Sequence, residues 1–186
     1  MLAMITLQRS PDLQQSHRLR LNTLIRLRWL AIVGQSVTVL VVAYGLRFPL
    51  PVGPCFALIA CSAWMNLFLA FRYPAAHRLT PWAAMGILVF DSLQLAGLLY
   101  MTGGLTNPFA LLLTVPVVIS ATSLSLVLTA LLGVLVMAAA SLLAFFHLPL
   151  PWYEGAELAM PFIYVGGIWM AVLSSIAFTG IYAFRV

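Results

Sequence analysis

The sequence has few charged residues, and this shortage excludes most classes of soluble protein. Charged side chains make up 7% of the 186 residues and none of them is lysine, while 63% of the residues are hydrophobic and the mean hydropathy is +1.08. A soluble globular domain carries about 25% charged residues. The sequence therefore predicts an all-α integral membrane protein. Its nine arginines cluster at segment ends, which suits anionic lipid headgroups and not nucleic acid.

The parts of a catalytic or metal site are also missing. The three histidines, His17, His77 and His147, fall at or beyond the ends of apolar segments, and no serine lies in a GxSxG setting. Cys55 and Cys61 are six residues apart, which places them about 240° apart around a helix axis. At that separation they cannot bind one metal ion as the cysteines of a CxxC motif do, and they cannot form a disulfide within the helix. We expect no catalytic residue and no metal here, and we interpret the cysteines as packing residues and His147 as a solvated residue of the membrane interface.

Apolar stretches of about 20 residues, the length that crosses a bilayer, recur along the chain. Residues 1–28 are expected to form a cytoplasmic segment that ends in a short amphipathic interfacial helix, and residues 29–186 a transmembrane domain. The stretch 108–146 is too long for one straight span, so we place a turn in its small polar residues. Pro116 could instead kink the chain, so the position of this boundary is left open. The six predicted transmembrane helices are 29–46, 53–71, 82–101, 108–121, 125–146 and 161–184.

The arginines predict the orientation of these six spans. Eight of the nine lie on one side of the arrangement, and Arg47 alone lies on the other. By the positive-inside rule, the N-terminus and the C-terminus are both expected to be cytoplasmic. The chain would then be a multi-pass protein of a bacterial inner membrane, with the loop between the third and fourth spans on the periplasmic side.

Polar side chains inside the predicted spans are few. Asp91 lies near the middle of the third span, Gln94 shares its face, and Gln35 and Asn66 can bond across helices. Asp91 is either a proton-linked or ligand-binding group or the partner in an interhelical hydrogen bond that fixes packing. A polar path through these residues would suit a small transporter or channel subunit, which is our alternative function.

Residues 103–109 interrupt the longest apolar stretch of the chain. Gly103 and Gly104 allow positive φ, and Asn107 followed by Pro108 predicts the cap and first turn of a new helix. A quinone needs hydrogen-bond donors, an aromatic face and apolar helices for its tail, and the glycine N–H groups, the Asn107 amide and Phe109 supply these. A plain helix–turn–helix explains the same residues, and both interpretations stay open.

Residues 103–109 match a GGxxNPF heptapeptide, and at this place between two spans they resemble the membrane region of the RegB/PrrB/ActS redox-sensing histidine kinases. Leu27-Arg28-Trp29-Leu30-Ala31, continuing to Gly34-Gln35, also resembles that family's entry into its first span. The resemblance implies that ubiquinone is the sensed ligand and that its binding restrains a cytoplasmic kinase core. It assigns the quinone site to Gly103, Gly104, Asn107, Pro108 and Phe109.

The resemblance also implies the partners of the protein. These are membrane lipid and quinone, a second copy in a homodimer formed through the full-length kinase, and a cognate response regulator. The chain ends before any phospho-accepting histidine, ATP-binding motif or cytoplasmic redox cysteine of that family, so Cys55 and Cys61 do not take that cysteine's role. We expect the sensor module of a longer histidine kinase, a transferase whose catalytic core is absent from this chain.

Overall fold

The computed structural model describes residues 21–74, 79–149 and 160–185. Within these ranges the chain folds into helices joined by short turns and contains no strand, which confirms the predicted all-α class. The π-helical stretch Val41–Gly45 extends α1, and the 3₁₀ segments Gly104–Thr106 and Pro108–Thr114 connect α3 to α4. The α-helices are α1 Leu21–Leu40, α2 Val52–Arg72, α3 Pro81–Met101, α4 Val115–Ala121, α5 Leu126–Phe145 and α6 Phe162–Arg185.

Five helical segments of the described chain are long and apolar enough to cross a membrane, so the protein is a multi-pass membrane protein. The predicted fourth span corresponds to a shorter apolar helix, Pro108–Ala121. The chain is already helical at Leu21, which places Arg28 inside the first long helix and not in a segment before it. Residues 1–20 of the predicted interfacial segment, with His17, and the loop residue His77 lie outside the described residues. The five segments are Leu21–Gly45, Val52–Arg72, Pro81–Met101, Leu126–Phe145 and Phe162–Tyr182.

Helices α3 and α5 run parallel, and their C-terminal ends meet at the glycine turn. The N–H of Leu148 donates to the carbonyl of Tyr100 at 2.8 Å. Gly104 packs directly against the carbonyl of Leu143 and the ring of His147. We call this end of the bundle, which holds residues 102–107 and 146–148, the turn end.

Helix α6 runs antiparallel to α5 and begins at the turn end. The rings of Phe145 and Phe162 lie with their centroids 5.9 Å apart. Further along the pair, Nε1 of Trp169 donates to Oγ of Ser141 at 3.0 Å. The last helix therefore starts beside the glycine turn and runs away from it.

The parallel course of α3 and α5 requires the residues between them to carry the chain back along the bundle. The seven residues Pro108–Thr114 are 3₁₀-helical and the seven residues Val115–Ala121 are α-helical. A 3₁₀ helix rises about 2 Å per residue and an α-helix about 1.5 Å, so the segment is about 24 Å long, against about 21 Å for an all-α version. Its buried side chains recur at every third position, as 3₁₀ geometry requires, at Ala110, Leu113 and Pro116.

Helix α3 belongs to both hydrophobic clusters of the bundle. The larger cluster joins α3 to α4, α5 and α6, takes in Leu21 and Leu24 of α1 and Leu69 of α2, and includes Leu105 of the turn, which is fully buried. The smaller cluster joins α1 and α2 to Leu98 of α3 and contains Cys55. Cys55 is buried and Cys61 is exposed, and both thiols are free.

Gly104 is the position where the fold tolerates no side chain. Its φ is +58°, which L-residues rarely adopt, and an added Cβ would overlap the Leu143 carbonyl and lie 2.7 Å from ring carbons of His147. We expect Gly104→Ala to lower the free energy of unfolding by about 2 kcal/mol or more, because left-handed strain adds to a clash with backbone.

The matched control is Gly86→Ala in the second turn of α3, where an added Cβ meets nothing within 4 Å. This change should raise stability slightly, by up to about 1 kcal/mol, since alanine is the better helix former. Denaturant unfolding in detergent, followed by circular dichroism, measures both variants. Equal stability of the two would contradict the close approach at Gly104.

Candidate functional site

The glycine turn has the backbone conformation that only glycine adopts without strain. Gly103 has a φ of 103° and Gly104 a φ of 58°. The carbonyl of Gly103 accepts two hydrogen bonds from Thr106, from its N–H at 3.0 Å and its hydroxyl at 2.6 Å. The turn is therefore closed by its own residues.

Asn107 caps the 3₁₀ helix that follows the turn, as the sequence predicts. Its Oδ1 accepts from the N–H of Phe109 at 2.9 Å, and Pro108 occupies the first turn. Its Nδ2 donates to the Thr102 carbonyl at 3.0 Å and to the Thr102 hydroxyl at 2.8 Å. With both amide hydrogens engaged, Asn107 holds the turn against the end of α3.

Phe109 presents its ring at the surface of the bundle. Its side chain is 44% exposed, while the next residue, Ala110, is buried. The period of three in this segment places Leu112 and Val115 in one row with Phe109, and both are also exposed. The ring is thus available to a ligand that approaches through the lipid.

A groove lies between Leu111 of the 3₁₀ helix and the start of α6, and the row of Phe109, Leu112 and Val115 does not line it. Its volume is about 540 Å³. Gly167 forms part of its floor, and a Cβ at that position would meet nothing within 4 Å. The lining is apolar apart from the Tyr164 hydroxyl and the backbone, and it consists of Leu111, Pro161, Ile163, Tyr164, Gly167, Ile168 and Ala171.

His147 lies at the same end, although its sequence position predicted only a solvated residue of the interface. Its ring packs on Gly104, and the adjacent Leu148 is hydrogen-bonded to Tyr100 of α3. Sequence reasoning missed this proximity because it depends on the parallel packing of α3 and α5. The available signal was a histidine placed directly after an apolar helix, which by itself is weak.

The intramembrane polar residues form a second cluster, away from the turn. Asp91 makes an ion pair with Arg28, with Nη2 and Oδ1 at 3.0 Å, and the Arg28 side chain is 5% exposed. The same Nη2 donates to Oγ of Ser62 at 3.2 Å. The guanidinium also lies 5.5 Å from the ring centroid of Phe90. The sequence did not predict Arg28 as a partner, because an arginine at the start of an apolar stretch is expected before the membrane. In the structure Arg28 is buried on the same side of α1 as Leu21, Leu24 and Ile32.

The remaining predicted polar residues also bond across helices. Gln35 and Gln94 donate to each other's side-chain oxygens at 3.4 Å and 3.1 Å. Asn66 donates to the carbonyl of Ile25 at 3.1 Å. These pairs tie α1 to α2 and α3. None of these residues lines the groove beside α6.

Comparisons with known proteins agree with the resemblance seen in the sequence. Two sensor histidine kinases RegB of Cereibacter sphaeroides are 42% and 44% identical to the chain over 167 residues, which is 90% of the chain. This confirms the resemblance to the RegB/PrrB/ActS sensor region. The chain spans 36% of the length of these relatives. No protein-family model and no solved structure matches the chain.

The ion pair in the bundle predicts a non-additive effect of mutation. Arg28→Met leaves a buried carboxylate and Asp91→Leu leaves a buried guanidinium, so each should lower the free energy of unfolding by about 3–5 kcal/mol. The double variant removes both charges and should be more stable than either single variant. Unfolding in mixed micelles measures this cycle.

Arg26→Met provides the matched control, since Arg26 is an exposed arginine on the same helix. It should change stability by less than about 0.5 kcal/mol. Additive losses in the double variant, or single variants as stable as the wild type, would contradict a stabilising role of the pair.

Proposed function

We propose that this chain, which is homologous to RegB sensor histidine kinases over nine-tenths of its length, is the membrane sensor region of such a kinase and responds to ubiquinone. The proposed setting is a bacterial inner membrane. The kinase core would lie in a longer protein, work as a homodimer and phosphorylate a cognate response regulator. Because the chain spans 36% of its relatives, these partners come from the proposed family role and not from the residues present.

The observation that carries the proposal is the combination of an exposed aromatic ring at Phe109 and an apolar groove that includes Leu111, two residues further along the chain. A quinone has a flat ring, which stacks on an aromatic face, and a long isoprenoid tail, which needs an apolar channel. Phe109 offers the first, and the groove lined by Leu111, Gly167 and Ile168 offers the second. Gly103, Gly104, Asn107 and Pro108 contribute by fixing the turn from which Phe109 projects.

The groove gives the ligand a way to affect the rest of the protein. Leu111 of the 3₁₀ helix lines it on one side, and its other lining residues belong to α6, the last helix described, and to Pro161 just before it. A tail lying between them favours the packing of α6 that it fits. Ligand binding shifts the equilibrium between two packings by the difference in its affinity for them. We propose that α6 leads toward the kinase core and transmits this shift.

We further propose that Pro108–Ala121 is a sixth crossing and that both termini are cytoplasmic. Its length of about 24 Å approaches the hydrocarbon thickness of about 30 Å, and its ends connect the turn end of α3 to the opposite end of α5. The excess of arginine on one side supports the orientation even with Arg26 and Arg28 inside the first helix, since Arg47 stays alone on the other side.

Cysteine labelling tests this topology. In a background without Cys55 and Cys61, Thr122→Cys should react with a membrane-impermeant maleimide only in inside-out vesicles, and Leu148→Cys only in right-side-out vesicles. Both positions are exposed in the structure. The reverse pattern, with Thr122→Cys labelled only in right-side-out vesicles and Leu148→Cys only in inside-out vesicles, would show that residues 108–121 do not cross.

Quinone binding tests the proposed function itself. The purified chain in lipid nanodiscs should bind ubiquinone with a two-isoprene tail, as measured by titration calorimetry. Gly167→Phe adds a large side chain at a groove-lining position where an added Cβ meets nothing within 4 Å, and it should weaken binding about tenfold or more. Phe109→Ala removes the stacking surface and should weaken it by about threefold to tenfold.

Each of these variants has a matched control. Gly166→Phe introduces the same side chain on the same helix at a position that also has open space but does not line the groove. Phe71→Ala removes an exposed ring at the C-terminal end of α2. Both controls should bind like the wild type. No binding by the wild type, or equal binding by all variants, would reject the site.

A further inference from the structure

Helix α6 has one side on the bundle and another side that no described part of the chain covers. It is the least buried of the five long helical segments in the described residues. Its buried residues are Val165 and Val172. A residue two positions along a helix lies about 200° around the axis, so the side opposite Val172 begins at its second neighbours. The exposed residues on that side, which we call the outer seam, are Met170, Ser174, Ala177 and Ile181.

The outer seam has the spacing of a helix–helix interface. Its residues lie four, three and four positions apart, which is the alternation of a and d positions in a heptad. Helices in membranes commonly pack with this geometry, and small residues at the contact let two backbones approach closely. Ser174 and Ala177 are small and lie between the larger Met170 and Ile181. The seam therefore fits a second helix packed along α6.

Ser174 gives this face a hydrogen-bonding group that the rest of the chain does not satisfy. Ser175 donates to the carbonyl of Ala171 at 2.8 Å, and Thr179 donates to the carbonyl of Ser175 at 2.7 Å. The Ser174 hydroxyl, in contrast, has no hydrogen-bond partner in the part of the chain that the structure describes. It is exposed near the middle of α6, where lipid tails offer no partner. A second protein surface with a hydroxyl at the same depth would provide one.

We propose that the outer seam is a dimer interface, in which α6 packs in parallel against α6 of a second copy and the two Ser174 hydroxyls bond to each other. Two copies inserted the same way round have parallel helices, and a twofold axis brings the same position of each together. A hydroxyl both donates and accepts, so two serines satisfy each other. This inference rests on the proposed function, in which a homodimeric kinase core follows α6, and it assigns the membrane surface by which the copies meet.

Disulfide cross-linking tests the interface position by position. Ser174→Cys and Ile181→Cys are made separately in a background without Cys55 and Cys61, and the chain is diluted in a large excess of lipid and oxidised with copper phenanthroline. Both variants should form a covalent dimer, because equivalent a positions of a parallel helix pair face each other.

The matched controls are Ser175→Cys and Tyr182→Cys. Each lies one residue beyond a tested position, and so about 100° around the helix, and both are exposed. They should form at least about fivefold less covalent dimer, since a disulfide needs Cα atoms within about 7 Å. Equal cross-linking at all four positions, no cross-linking at any of them, or more at Ser175 than at Ser174 would overturn the interface.

The strength of association tests the hydroxyl pair. Energy transfer between copies that carry donor and acceptor dyes at the N-terminus, in liposomes of decreasing protein content, gives the dissociation constant of the dimer. Ser174→Ala should raise this constant about threefold, and Ser174→Leu about tenfold or more because its side chain separates the two backbones. Ser175→Ala should leave it unchanged.

Unchanged association of Ser174→Ala would reject the hydroxyl pair, and unchanged association of Ser174→Leu would reject the seam. Neither measurement uses a quinone. A chain that dimerises through the seam but binds no quinone would refute the proposed function alone, whereas a chain that binds quinone without seam-specific dimers would refute this inference alone.

Discussion

The ion pair between Arg28 and Asp91 is the constraint on which the arrangement of the first three helices depends. Gln35 of α1 lies beside Gln94 of α3 in two helices that run in the same direction, so the Arg28 backbone lies about 6 Å nearer the helix start than that of Asp91. Its side chain therefore reaches inward along the bundle, opposite to the usual extension of arginine toward the headgroups. A charge turned away from water in this way is stable only if its partner stays in place. The pair thus holds α1 to α3 in one register.

Helix α3 connects this polar cluster to the glycine turn. Asp91 and Gln94 lie in its middle, and its C-terminal end at Met101 leads directly into Thr102, to which Asn107 is bonded. Twelve residues separate Asp91 from Gly103, or about 18 Å of helix, so one ligand headgroup cannot contact both places. The two sites are separate in space and joined by a rigid element. The cluster positions the α1–α2 pair on α3, and the other end of the same helix carries the proposed ligand site.

The sequence predicted the parts of this structure that depend on local chemistry. Apolar length marked the long helices, and Asn107 followed by Pro108 marked a cap that the structure contains. The sequence did not predict the ion pair. A hydropathy pattern predicts that Arg28 lies outside the membrane, and its partner Asp91 is distant in the chain. The 3₁₀ stretch was also missed, because residues 108–114 are almost all apolar and a uniform pattern cannot distinguish a period of three from one of 3.6. The contact between His147 and Gly104 comes from helix packing alone.

Of the two interpretations of residues 103–109, a capped turn and a ligand site, the structure contains the capped turn, and its hydrogen bonds decide which atoms remain for the proposed ligand. The side chain of Asn107 and the hydroxyls of Thr102 and Thr106 already make the hydrogen bonds that close the turn. A ligand could bond to them only by breaking those bonds. Of the residues 107–109, Phe109 is the one whose side chain takes no part in closing the turn, and its ring is exposed. Gly104 fixes where this turn lies, since its missing Cβ allows the turn to close on the Leu143 carbonyl and the His147 ring at the end of α5. The proposed recognition of a quinone ring therefore depends on a turn whose position is set by the packing of α3 against α5.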